Sequence, residues 1–156
     1  MSGIGENMED RYLFKAKRLD NGEWEIGNLI TNVFFRLGQS IPYILCSDKA
    51  EYDCFEDFTE ENGIFEVRPD TICQCTGLKD KNGKLIWEND IVGFWDTYST
   101  ENGQAEMDCI GKVVWDDETI SFQVTNRLSA ESYEVLDECS VIGNVFDNPE
   151  LLESEE

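Results

Sequence analysis

Carboxylates and cysteines are the side chains of this sequence that could do chemistry. The chain contains 34 Asp and Glu residues and 6 Cys, but no His. Without His, neither a Ser-His-Asp nor a Cys-His catalytic unit can form. Pairs of carboxylates can act as general acid and base, but in a chain this acidic such pairs are not diagnostic. We therefore predict no catalytic residues and no cofactor, and expect a protein that is not an enzyme.

Two groups of residues are weighed as cation ligands. Asp116-Asp117-Glu118 could bind a divalent cation with other oxygens, but it falls in a predicted hairpin turn, where Asp is favoured anyway. Cys73 and Cys75 lie on one face of a predicted strand, and a zinc site would need two more ligands. We predict no metal site. The cysteines are expected to be buried free thiols at Cys46, Cys54, Cys73, Cys75, Cys109 and Cys139.

The charge is strongly negative and unevenly distributed. The net charge is −22, and residues 101–156 contain 15 acidic and 2 basic residues, a net charge of −13. Such a field repels nucleic acid and attracts basic proteins, so we expect a basic protein partner and no direct nucleic-acid binding. The simpler interpretation is acidity for solubility alone. The chain has neither an apolar run that could span a membrane nor a signal peptide at its start, which predicts a cytoplasmic location.

Turn signals and alternating apolar residues predict a mainly β fold. Asn82-Gly83 suits a two-residue type I′ turn, with positive φ at both residues, and Asn21-Gly22 predicts a second hairpin. Leu85-Ile86-Trp87 is a predicted strand, and Glu88-Asn89-Asp90 is a tight turn before the strand Ile91–Trp95. A strand at Thr119–Thr125 is expected to place Ile120, Phe122 and Val124 inward.

The less regular segments give weaker predictions. Asp96–Asp108 is polar and is predicted as a long exposed loop. Ser129 could cap a short helix, and Ser47–Gly63 is either an amphipathic helix or a loop insertion. The basic cluster Lys15, Lys17 and Arg18 is expected to pair with nearby carboxylates.

Three separated blocks resemble the phage YopX family. Thr76–Val92 is similar to its T-G-L-K-D-K-N-G-K motif followed by E-G-D-I-V, with Asn89 where the family usually has Gly. Val141–Leu152 is similar to its closing I-G-N-I-Y-D-N-P-E-L-L, and Tyr12–Leu29 resembles its opening hairpin. The motif positions are Gly77, Leu78, Asp80, Asn82, Gly83, Glu88, Asn89, Asp90, Gly143, Asn144, Asp147, Asn148 and Pro149.

The resemblance implies a phage or prophage origin and an SH3-like β-barrel with an N-terminal hairpin extension and one or two short helices. It implies no activity. We expect residues 1–10 to be a flexible tail, 11–152 a single YopX-like domain with a candidate boundary near residue 70, and 153–156 an acidic tail.

The leading hypothesis is an acidic protein-interaction module acting in a bacterial host, whose carboxylates could even imitate DNA phosphates. The alternatives are a small cation-dependent enzyme that uses carboxylates and a structural subunit that self-associates into a homo-oligomer through a strand edge.

Overall fold

The computed structural model describes residues 10–31, 35–36, 39–46, 63–129, 131–135 and 138–153. These residues are mainly β, in antiparallel sheets, with 3-10 turns as their named helical elements. The chain divides into two compact units, Met1–Cys75 and Thr76–Glu156. The candidate boundary expected near Asp70 lies a few residues before this division.

The first unit is built on an antiparallel sheet in the order β6-β5-β2-β1-β7, with β3 and β4 paired separately. A 3-10 turn at Pro69–Thr71 precedes β7, which continues into the second unit. The strands are β1 (Phe14–Lys17), β2 (Trp24–Ile30), β3 (Phe35–Arg36), β4 (Gln39–Ser40), β5 (Tyr43–Leu45), β6 (Ile64–Glu66) and β7 (Cys73–Lys79).

The buried face of β2 is its Glu25 and Gly27 face, while Ile26 is exposed. A Cβ on Gly27 would lie 2.0 Å from the carbonyl oxygen of Leu45 on β5, so only glycine lets the two strands approach this closely. Buried Glu25 accepts a hydrogen bond from Cys46 Sγ at 3.3 Å, which helps to satisfy a carboxylate removed from water. The apolar core of this unit contains Ala16, Ile44, Cys46, Phe65 and Val67.

The basic cluster of β1 is engaged within its own unit. Arg18 forms an ion pair with Asp20 at 2.6 Å and lies 3.6 Å from Glu25, as expected for a cation near carboxylates. The hydrogen bond from Arg18 lowers the pKa of Asp20 below its ordinary value. The ammonium groups of Lys15 and Lys17 lie over the Trp24 ring, 4.7 and 5.4 Å from its centroid. These contacts give the cluster a structural role.

The second unit contains a five-stranded antiparallel sheet in the order β12-β11-β10-β9-β13. Alternating residues of these strands face a core that includes Ile86, Val92, Val113, Val124 and Cys139. A 3-10 turn at Pro149–Leu152 follows the last strand and has Pro149 at its start, where a missing N–H costs little. The strands of this unit after β7 are β8 (Leu85–Trp87), β9 (Asp90–Thr100), β10 (Gly103–Asp116), β11 (Ser121–Asn126), β12 (Ser132–Glu134) and β13 (Ser140–Asn144).

The exposed loop predicted for Asp96–Asp108 is wrong, because this segment forms the outer part of the β9–β10 hairpin. The two strands stay in register from Lys112↔Ile91 to Gly103↔Thr100, and Gly103 has φ +123° at the turn. Backbone hydrogen bonding between strands does not require an apolar face, so the polar side chains of this segment did not exclude a strand. We call residues 93–111 the hairpin arm.

Two further predictions in this unit are wrong. The segment after Ser129 contains strand β12, in which Tyr133 pairs with Val124 instead of facing inward from a helix. Ile120 does not point inward: it is 74% exposed and has φ +54°, in the turn that precedes β11. At Tyr133, pairing with the neighbouring strand β11 overrides the local helical pattern, whereas Ile120 belongs to the turn between β10 and β11 and not to a strand.

Both Asn-Gly hairpins are confirmed, but the type I′ geometry predicted for Asn82-Gly83 is wrong. Gly83 and Gly22 have positive φ, at +81° and +73°, whereas Asn82 and Asn21 do not. The Gly83 N–H donates to the Asp80 carbonyl at 3.0 Å, which is the pattern of a type I turn followed by a left-handed glycine.

No closed barrel is formed by the strands that the structure describes, so the SH3-like barrel is not confirmed. Residues 47–62, where a helix or loop insertion was predicted, lie outside the described residues, as do Cys54 and residues 1–9. Within the described residues, no helix has the length and apolar character needed to cross a membrane.

Candidate functional site

The motif residue Asp80 holds three backbone N–H groups with its carboxylate. Its side chain is buried, and Oδ1 accepts hydrogen bonds from the N–H groups of Asn82 and Lys84, both at 2.9 Å. Oδ2 accepts from the N–H of Val141 on β13 at 2.9 Å. Burial alone would raise the pKa of Asp80, but these three donors and the Lys84 charge together lower it. The Asp80 carboxylate thus closes its own turn and also ties that turn to β13.

Gly77 and Leu78 shape the strand before that turn. Gly77 has φ +79°, which suits glycine, and the Thr76 hydroxyl donates to the Ile86 carbonyl at 2.7 Å. The N–H of Leu78 donates back to the Thr76 hydroxyl at 3.1 Å, and the Leu78 side chain is exposed. These contacts hold β7 against β8.

The Glu88-Asn89-Asp90 turn is confirmed. Asn89 has φ +70°, as expected for a residue that replaces the family glycine. Buried Asp90 accepts a hydrogen bond from the Trp87 N–H at 2.8 Å, which closes the turn. The N–H of Val145 donates to the Asn89 carbonyl at 3.0 Å, so the closing block binds to this turn.

The closing block is a second network of local bonds. Asn144 Oδ1 accepts from the Asp147 N–H at 2.9 Å, and Asn144 Nδ2 donates to Asp147 Oδ2 at 3.1 Å. The Asn144 N–H donates to Asn148 Oδ1 at 3.2 Å. A Cβ on Gly143 would lie 2.5 Å from that same Asn148 oxygen, which explains the glycine, and Pro149 starts the terminal 3-10 turn.

The motif residues thus form hydrogen bonds with the backbone that connect separate segments of the second unit at two places. The first connection is between the Asp80 turn and β13, and the second is between the Asn89 turn and the closing block. Their buried polar atoms accept or donate within the backbone framework, which is the behaviour of structural residues. We therefore assign the motif residues to stabilising the fold, and look for a binding surface among other residues.

The candidate cation ligands have structural explanations. Asp116 Oδ1 accepts from the Glu118 N–H at 2.9 Å, and Asp117 Oδ1 accepts from the Trp115 indole N–H at 2.8 Å. No three His, Cys, Asp or Glu side chains form a metal-binding group in the part of the chain that the structure describes. The described cysteines are buried free thiols, as expected, at Cys46, Cys73, Cys75, Cys109 and Cys139.

The hairpin arm is the surface that the sequence interpretation missed. It exposes large apolar side chains among carboxylates: Trp95 is 64% exposed, and Tyr98 and Met107 are also exposed. The arm contains Asp96, Glu101, Glu106 and Asp108 and no Lys or Arg. The available signal was the pair of aromatic residues, Trp95 and Tyr98, within a polar segment, which is unusual in a solvated loop.

Tyr133 anchors one face of the arm. Its ring packs on Phe94 with centroids 5.3 Å apart, and its hydroxyl lies 2.7 Å from Asp96 Oδ2 and 2.7 Å from Glu131 Oε2. Hydrogen bonding to Asp96, then to Glu131, raises the pKa of Tyr133 above its ordinary value, because the charged form would face two carboxylates. The same face bears a cleft of about 90 Å³, next to Tyr133 and Cys139.

The arm also bears a larger open groove of about 280 Å³, whose lining shares Phe94, Trp95 and Glu138 with that cleft. Its floor is Gly93, which pairs with Ile110 of β10 on one side and Ser140 of β13 on the other. Trp95 and Ile142 form exposed apolar walls. The ionisable residues of the lining are Asp108, Glu138 and Lys81. We call this the Gly93 groove.

Comparison with known proteins identifies the family. The YopX protein family model matches residues 14–153, so the chain belongs to the YopX family, as the motif blocks suggested. No curated protein matches the chain. Among solved structures, the crystal structure of protein EF1440 from Enterococcus faecalis is similar at 25% sequence identity, with a TM-score of 0.44, over 90% of this chain and 96% of that one.

Proposed function

We propose that this YopX-family chain is a non-enzymatic interaction module of phage or prophage origin that binds a basic protein in the bacterial cytoplasm. The observation that carries the proposal is the hairpin arm, which combines exposed Trp95 and Tyr98 with an entirely acidic set of charges. Aromatic anchors beside charges of one sign are typical of surfaces that bind a partner of the opposite sign. The SH3-like arrangement implied by the resemblance is part of this proposal.

The long-range electrostatics favour the same class of partner. Residues 101–156 have a net charge of −13, so an approaching basic protein is attracted and a nucleic acid is repelled. At about 0.1 M salt, exposed charges act over about 10 Å, so this attraction is sensitive to ionic strength. The apolar side chains act only at contact and are not screened in this way.

The enzyme alternative has no comparable support. The carboxylates of Asp116 and Asp117 are engaged in turn hydrogen bonds, and those of Asp80 and Asp90 hold backbone N–H groups. We therefore keep the interaction module as the single proposed function and treat self-association as an outcome to be measured.

The test is affinity capture from bacterial lysate with a charge variant of the arm. The variant combines Glu101→Gln, Glu106→Gln and Asp108→Asn, which changes the net charge by three and leaves Asp96 with Tyr133. We expect the wild type to capture a defined set of basic proteins at about 50 mM salt and to lose them at about 500 mM. The variant should lose the same proteins at low salt.

The control carries the same change in net charge away from the arm. It combines Glu118→Gln, Glu150→Gln and Glu153→Gln, and we expect it to keep the partners. Equal losses in both variants would mean that total charge, not the arm, controls capture, and no enrichment of basic proteins would refute the proposal. Light scattering of the purified chain separates self-association, since a concentration-dependent dimer would support the structural-subunit alternative.

A further inference from the structure

We infer that the Gly93 groove binds one arginine side chain of the basic partner, a proposal that rests on the function proposed above. The groove exists because Gly93 has no side chain between Ile110 and Ser140, its neighbours on the adjacent strands. Strand alternation places Trp95 on the same face as Gly93, and Asp108 pairs with Trp95 across β9 and β10. An apolar wall and a carboxylate therefore adjoin the bare backbone of Gly93.

The size of the groove suits one side chain. Its volume of about 280 Å³ lies just below that of small-molecule pockets, which span about 300–1,000 Å³. It is open to solvent along a sheet face, and a narrow extended group can lie across Gly93 between the walls formed by Trp95 and Ile142.

The charge of the lining also suits a single cation. Asp108 and Glu138 supply two negative charges and Lys81 one positive charge, so the lining has a net charge of −1. Lys81 would repel a segment with several cationic residues, whereas a single cation balances the net charge of the lining. The groove is thus complementary to one basic residue within a segment that also has apolar atoms.

Arginine fits these features better than lysine. Its planar guanidinium stacks on an indole face and can bind a carboxylate through two parallel hydrogen bonds, while its aliphatic stem packs on apolar walls. Trp95 presents a 64% exposed indole, and Asp108 and Glu138 provide acceptors in the same groove. A lysine ammonium is more strongly hydrated and lacks the planar stack.

Gly93 permits a direct steric test. A Cβ built at Gly93 meets no atom closer than 4.0 Å, and its φ is not in the left-handed region. Gly93→Val should therefore preserve the strand while its branched side chain fills the groove. Trp95→Ala is the second variant, and it removes the proposed stacking partner without adding any atom.

The experiment is a titration of the full-length chain with two short synthetic peptides, followed by amide and indole NMR shifts. One peptide has a central Arg between Leu residues in a Gly-Ser background, and the other has Lys in place of Arg. We expect the Arg peptide to shift the Gly93 amide and the Trp95 indole, and the Lys peptide to bind about tenfold more weakly. Gly93→Val should abolish these shifts, and Trp95→Ala should weaken binding about tenfold.

Several results would overturn the inference. These are equal binding of the Arg and Lys peptides, shifts confined to other residues, or undiminished binding in a folded Gly93→Val or Trp95→Ala chain. Groove shifts that appear on concentrating the chain alone would assign the surface to a second copy. Basic proteins captured through the arm without peptide binding in the groove would refute only this inference. Peptide binding without any captured basic protein would refute only the proposed function.

Discussion

Replacing Asp80 removes an acceptor shared by three backbone N–H groups. Its carboxylate accepts from Asn82, Lys84 and Val141, each at 2.9 Å. Each hydrogen bond to a charged group contributes about 1.5–3 kcal/mol, less where water can replace the partner. Since all three donors are only partly buried, we expect Asp80→Ala to destabilise the second unit by about 3–5 kcal/mol. The melting temperature of the 156-residue chain should fall by about 6–20 °C.

Asp80→Asn separates charge from shape. The amide keeps one acceptor oxygen but turns an NH₂ group toward the remaining N–H donors, so we expect a loss of about 1–3 kcal/mol. Asp108→Asn is the control, since it removes an exposed carboxylate from the same unit. Tryptophan fluorescence is a suitable probe, because Trp87, Trp95 and Trp115 belong to this unit.

The pH dependence gives the Asp80 prediction a second readout. The folded pKa of Asp80 lies below its ordinary value of 3.8, so the stabilisation is fully present above that value. It is lost as the pH falls through the folded pKa, when the carboxylate becomes protonated. Asp80→Asn cannot titrate, so the stability gap between it and the wild type should narrow below about pH 4. A constant gap from about pH 7 to about pH 3, or an equal loss in Asp108→Asn, would refute the reasoning.

Two further predictions concern backbone geometry in the same unit. Ile120 is 74% exposed at φ +54°, where a β-branched residue is strained by about 1–2 kcal/mol and Asn is much better tolerated. Ile120→Asn should therefore raise the melting temperature by about 2–4 °C, and an unchanged or lower value would contradict this. A Cβ at Gly111 would lie 2.5 Å from the Thr125 carbonyl, whereas one at Gly93 meets nothing nearer than 4.0 Å. Gly111→Ala should therefore destabilise by about 1–3 kcal/mol in urea unfolding while Gly93→Ala is nearly neutral, and similar losses in both would be contrary to this packing.

Local sequence signals predicted the turns better than the connections between strands. The Glu88-Asn89-Asp90 turn and the burial of Cys73 and Cys75 followed from residue chemistry and strand alternation. The hairpin arm was not predicted because its strands are held by backbone hydrogen bonds between β9 and β10. The polar side chains of this segment carry no alternating apolar pattern that would indicate such pairing. Strand β12 was missed for a related reason: Tyr133 pairs with Val124, a contact set by tertiary structure.

The Gly93 groove could not be predicted from the sequence either, because it too depends on which strands pair. A glycine inside a strand signals a close approach or an absent side chain, and that much was readable at Gly93. What makes it a groove is the placement of Ser140 and Ile142 beside it, which depends on β13 pairing with β9. That pairing joins residues almost fifty positions apart, and no local pattern specifies it.

The motif residues and the exposed residues of the second unit use their side chains in different ways. Asp80 and Asn144 use their side-chain oxygens to hold backbone N–H groups, so a ligand could engage them only by breaking those bonds. Trp95, in contrast, leaves most of its indole in water at a site where Asp108 and Glu138 adjoin bare backbone. Covering exposed apolar surface with a partner lowers the free energy of the complex. A buried carboxylate whose hydrogen bonds are already made offers no such gain in binding. Binding should therefore respond to changes at Trp95 and Gly93, and folding stability to changes at Asp80.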